Sequence, residues 1–125
     1  MHAKLNKLIS EINLAKARRV INFKVRLSRH SLFFLNKLNE YGLIRGYSIV
    51  NREIIVYMKY INNTVVFKKI YLIKGKRYIK LMSLLRMSSR IKPSLYLLVT
   101  ANGYKFSDEC LLENISGRVI ARIEL

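Results

Sequence analysis

A chain of 125 residues that carries 24 Lys and Arg against 7 Asp and Glu has a net charge of +17. Its hydrophobic content of 51% is ordinary for a globular protein, so the charge is not that of a disordered basic tail. The length allows one domain or two small subdomains, and no uncharged apolar run is long enough to span a bilayer.

Taken in chain order, residues 3–17 predict an amphipathic helix. Leu5, Leu8, Ile9, Ile12 and Ala15 recur at the spacings of one helical face, with Lys4, Lys7 and Arg18 on the other. Arg18 and Arg19 close it, where cations suit the helix dipole. Residues 21–27 alternate as a half-buried strand, with Asn22, Lys24 and Arg26 outward. Ser28 is an N-cap for a helix over 29–41, whose apolar stripe is Phe34, Leu35, Leu38 and Tyr41. Gly42 and Leu43 supply its C-terminal stop. Strands are expected at 43–50 and 53–60, joined at Asn51-Arg52, and Ile54, Val56, Met58 and Tyr60 share one face of the second.

After the turn at Asn62-Asn63 the chain reads as mostly strand. Residues 65–73 and 77–82 flank the turn Lys74-Gly75-Lys76. Residues 83–94 contain the sole proline, Pro93, and read as a connection. Residues 95–100 predict a buried strand, Ala101-Asn102-Gly103 a turn, and Ser107-Asp108-Glu109 the start of a short helix. From Gly117, a last strand alternates Val119, Ala121, Ile123 and Leu125 with Arg118, Ile120, Arg122 and Glu124. The expected class is α+β. An N-terminal α-β-α-β-β subdomain covers 1–62, and a mostly-β subdomain with a short helix covers 63–125.

The residues offer little for catalysis. His2 and His30 are the two histidines, and Cys110 is the one cysteine. They cannot supply the four close ligands of a zinc site. Lys74-Gly75-Lys76-Arg77 lacks the frame of a phosphate-binding P-loop. Met1 to Lys7 do not form the charged start and apolar run of a secretory signal. A lone cysteine makes no internal disulfide, which points to a reducing compartment. Neither an enzyme nor a cofactor, metal or small-molecule substrate is expected.

The charge is unevenly placed. Residues 1–53 hold 11 bases and 3 acids, residues 54–107 hold 11 bases and no acid, and residues 108–125 hold 2 bases and 4 acids. Fifty-four residues without a carboxylate repel one another unless a polyanion is near. A membrane surface would call for one basic amphipathic helix, but these bases lie on predicted strands and turns. Aromatics interleave with them: Phe67, Tyr71, Tyr78 and Tyr96 stand among Lys68, Lys69, Lys80, Arg86, Arg90 and Lys92. Cations neutralise phosphates and aromatics can stack on bases, so folded RNA is the expected partner.

Three segments together resemble the small-subunit ribosomal protein S-eight family, over nearly the full length. Leu8 through Ala15 resembles the family's opening "M-L-T-R-I-R-N-A", with Asn13 and Ala15 matching. Ser28 through Ile44 resembles "S-K-L-…-I-L-x-x-L-x-x-E-G-Y-I", with Leu38, Glu40, Gly42 and Ile44 in register. Met58-Lys59-Tyr60 matches "L-K-Y". Lys74-Gly75-Lys76-Arg77 resembles "K-P-G-R-R", and Val99 through Gly103 resembles "S-T-S-x-G" with Thr100 and Gly103 kept and both serines replaced. Ser107-Asp108 resembles the following "T-D", and Ser116 through Ile120 resembles "G-G-E-V-L".

The resemblance implies a non-enzymatic protein that binds the central domain of small-subunit rRNA, helps it fold, and sits among other small-subunit ribosomal proteins. It implies a primary RNA-binding loop at Thr100, Ala101, Asn102 and Gly103, flanked by Lys74, Gly75, Lys76 and Arg77. Lys105, and Arg18, Arg19 and Arg29 in the N-terminal half, complete the expected RNA-binding set. Abundant Lys, Asn, Ile and Tyr (13, 10, 15 and 8) fit an AT-rich genome. With no presequence in view, a mitochondrial ribosome is expected ahead of a plastid or bacterial one. The alternative is an RNA-binding maturation or splicing factor acting away from the ribosome.

Overall fold

Two units make up the chain in the computed structural model, Met1–Val66 and Phe67–Leu125. The structure describes residues 2–73, 78–79 and 94–125. The class is α+β. The expected boundary at 62/63 falls in the turn of a small hairpin, β4 (Tyr60–Ile61) with β5 (Thr64–Val65).

The first unit runs α1 (His2–Arg18), β1 (Asn22–Arg26), α2 (Arg29–Glu40), β2 (Gly46–Val50) and β3 (Glu53–Tyr57), then the β4–β5 hairpin. The sheet is antiparallel with β3 between β1 and β2. The helical spacing puts Leu5, Leu8, Ile9, Ile12 and Ala15 of α1 and Phe34, Leu35 and Leu38 of α2 into the core, with Ile54, Val56 and Met58. Each large side chain there contributes about 1.5–3 kcal/mol by leaving water. Ser28 caps α2: its Oγ accepts the Ser31 N–H at 3.1 Å. The strand expected over 53–60 ends as a regular element at Tyr57, although the Met58 N–H still bonds the Ile21 carbonyl (2.9 Å) in the register of the β1–β3 ladder.

The three helices among the described residues end in the same way. A residue in left-handed conformation lets two successive N–H groups close on the last turn. Gly42 (φ 70°) does this for α2, with Leu43 N bonding Leu38 O at 2.9 Å. For α1 the residue is Arg19 (φ 55°), and Val20 N bonds Ala15 O at 3.2 Å. A side chain is strained in this region and glycine is not. Arg19→Gly is therefore expected to raise the stability of the first unit by about 0.5–1 kcal/mol in chemical denaturation. It would also remove one cation of the expected RNA-binding set.

The second unit contains β6 (Lys69–Leu72), β7 (Tyr78–Ile79), β8 (Ser94–Thr100), β9 (Gly103–Phe106), α3 (Ser107–Glu113) and β10 (Gly117–Glu124). The sheet order is β6-β10-β8-β9, with β7 also on β10. The run expected as one strand over 65–73 is two. Val65 pairs with Tyr60, whereas Ile70 pairs with Ile123, so the chain changes partner between them. Ser107 lies inside α3 rather than capping it, and its buried Oγ accepts the Tyr96 N–H at 3.3 Å. The cap bond comes instead from Phe106 N–H to the Glu109 carboxylate, at 3.1 Å.

The strict alternation expected along the last strand fails at one residue. Val119 pairs with Leu98 but Ala121 pairs with Leu97, so Ile120 is an extra residue, a β-bulge. Ile120 is buried along with Val119, Ala121 and Ile123. Below the bulge Arg118 shares a face with Val99. Above it Arg122 shares the opposite face with Tyr96. Cys110 of α3 is fully buried in a cluster with Tyr96, Leu98 and Val119. Burial pushes its thiol above the ordinary range, so it stays protonated and apolar in character.

Candidate nucleic-acid interface

The β8–β9 hairpin builds the loop that the sequence singles out. Thr100 faces Gly103 across the turn, and Ala101 and Asn102 form its exposed tip. The Thr100 hydroxyl donates to the Gly103 carbonyl at 2.8 Å and accepts the Asn102 N–H at 3.2 Å. Gly103 has φ 99°, a conformation that glycine takes without strain. The resemblance places Thr100 in the expected RNA-binding loop. Its one proton is spent inside the loop, leaving only lone-pair capacity for a 2′-hydroxyl donor. Thr100→Val removes both internal bonds at nearly constant volume. It should weaken the turn by about 1–2 kcal/mol, read as faster amide exchange at Asn102. Thr100→Ser should restore protection.

The root of the loop is close-packed. A Cβ on Gly117 would lie 2.6 Å from the Val99 carbonyl oxygen and 2.9 Å from Thr100 Cγ2. This glycine lets β10 run against the base of the loop. Beside it, Tyr104, Val99 and Arg118 stand in one cross-strand row. Burial raises the Tyr104 hydroxyl above its ordinary pKa, and the nearby Arg118 charge opposes that rise, so Tyr104 is neutral at physiological pH.

Lys105 lies two residues along β9 from Gly103, opposite Leu98. Its ammonium pairs with Glu113 of α3 at 3.3 Å, half out of water. A phosphate would have to compete with that carboxylate. The structure thus gathers Thr100, Ala101, Asn102, Gly103 and Lys105 on one hairpin. Lys74, Gly75, Lys76 and Arg77 lie outside the described residues, as do Lys80, Arg86, Arg90 and Lys92.

The N-terminal cations form no single cluster. Arg18 and Arg19 precede β1 and Arg29 follows it, so about 17 Å of strand separates them. Between them, the exposed Lys24 and Arg26 point away from the core along an edge strand. Arg29 opens α2 and lines an open groove of about 380 Å³ with Phe33, Tyr47 and Ile49.

Sequence reasoning gave no role to Gly117, Arg118 or Arg122. A Gly-Arg at the start of a strand was visible, but its neighbours depend on register. Among the described residues no group of three or more His, Cys, Asp or Glu could hold a metal ion. None of the described helices is long and apolar enough to cross a membrane. No protein-family model matches the chain, and no curated protein matches it.

Proposed function

We propose that the chain is a structural, non-enzymatic protein of the small ribosomal subunit that binds the central domain of the rRNA and helps it fold. The observation that carries this reading is the Thr100–Gly103 hairpin. An exposed turn of small residues, self-closed by Thr100, lies near the end of a 54-residue stretch without one carboxylate. Small residues let an RNA backbone approach closely, and the surrounding cations supply sequence-independent affinity. The ordered resemblance to the S-eight family supplies the particular RNA. Other small-subunit proteins would be its neighbours, and the Asn-, Ile-, Lys- and Tyr-rich composition favours a mitochondrial ribosome.

Co-sedimentation tests the proposal. Stoichiometric presence in small subunits after a high-salt wash is expected, with crosslinks from the 100–105 hairpin to rRNA. Recovery only in free fractions would reject the ribosomal reading in favour of a maturation or splicing factor.

A further inference from the structure

A second anchoring point lies on the other side of the bulge, away from the hairpin. Tyr71 of β6 stands directly across from Arg122 of β10. The Arg122 guanidinium carbon is 4.5 Å from the centre of the Tyr71 ring, and the Lys69 ammonium is 5.1 Å from the same centre. The two charges therefore lie within about 10 Å of each other, held by one aromatic ring. Glu124 is the one acid present, 3.8 Å from Arg122, which leaves the cluster with a net positive charge.

Ordinary structural needs explain only part of this. Lysines on an edge strand guard against strand addition, and Lys69 on β6 fits that role. Arg122 does not, because it lies on β10, between β6 and β8. Two like charges over one ring repel in the free protein, and an anion would relieve that repulsion. A guanidinium already stacked on a ring has lost the freedom that binding would otherwise take from it.

We infer that Lys69, Tyr71 and Arg122 form a phosphodiester-binding site for RNA, separate from the hairpin, in which Lys69 and Arg122 contact phosphate and Tyr71 positions them. The RNA partner rests on the reading above, but the geometry of the cluster does not.

The test uses the full chain with two probes, a transcript of the rRNA central domain and poly(U), each titrated with salt. Lys69→Gln with Arg122→Gln should weaken binding about tenfold and lower the salt slope by about 1.4–1.8. Tyr71→Leu should weaken binding several-fold with nearly the wild-type slope, since both charges remain. Tyr71→Phe keeps the ring and should restore most of the affinity. Circular dichroism melts exclude unfolding as the cause.

Wild-type affinity and slope in the double variant would overturn the site and leave the ribosomal proposal standing. Loss of transcript binding in the wild type, with poly(U) still bound through Lys69 and Arg122, would overturn the ribosomal proposal and leave the site. Binding of neither RNA overturns both. Competition by polyglutamate equal to that by poly(U) would reassign the cluster to acidic protein and reject RNA.

Discussion

Gly117→Ala should destabilise the second unit by about 1–3 kcal/mol, a large effect for one methyl group. The new Cβ would lie 2.6 Å from a backbone oxygen, that of Val99, which cannot rotate away. Either β10 or β8 has to move, and the two strands pair at the centre of the sheet. The second contact, 2.9 Å from Thr100 Cγ2, reaches the residue whose hydroxyl closes the hairpin. RNA affinity should therefore fall along with stability. Combining Gly117→Ala with Thr100→Ser removes the methyl contact but leaves the carbonyl contact, so rescue should be partial. Urea unfolding followed by a probe in the second unit measures the first effect. Wild-type stability would mean that the strands separate freely at this point.

Salt should produce the largest change in binding. Six to ten phosphate contacts predict that affinity for RNA falls by about 10³ or more between roughly 50 and 200 mM salt. The basis is the stretch 54–107, with 11 bases and no acid. Neutralising Lys74, Lys76 and Arg77 together should lower the slope by about two to three if each meets a phosphate. Changing Asn102 should reduce affinity with little change in slope, because it carries no charge. A slope near zero in the wild type would contradict a phosphate-based interface altogether.

The helices were legible because their signals are local. Ser28, the stripe Phe34-Leu35-Leu38 and Gly42 each act within a turn or two, and the structure has each where its chemistry predicts. Strand limits were less legible, because a strand ends where its partner does. Met58 reads as a continuation of β3 and keeps an in-register bond to Ile21, yet β3 ends at Tyr57 opposite the first residue of β1, Asn22, which no pattern within 53–60 reveals. The candidate hairpin was located by its turn residues. The use of the Thr100 hydroxyl within its own loop was not, since it depends on the exact approach of Gly103. Tyr71 and Arg122 are 51 positions apart in the chain, and only register brings them together.

The bulge at Ile120 works as a half-turn of phase. Along an unbroken strand, residues four apart project to the same side, so Arg118 and Arg122 would share one surface. One inserted residue sends them to opposite surfaces. The unit can thus present cations both ways from a single strand, as a wedge between two RNA segments would require. Excising Ile120 would leave Ala121 opposite Leu97 and Arg122 opposite Tyr96, so the two arginines would stay on opposite surfaces. Pairing the strand straight through Ile120 instead would bring them to one surface and turn Ala121 and Ile123 over, so the two-sided charge and the buried layer stand or fall together.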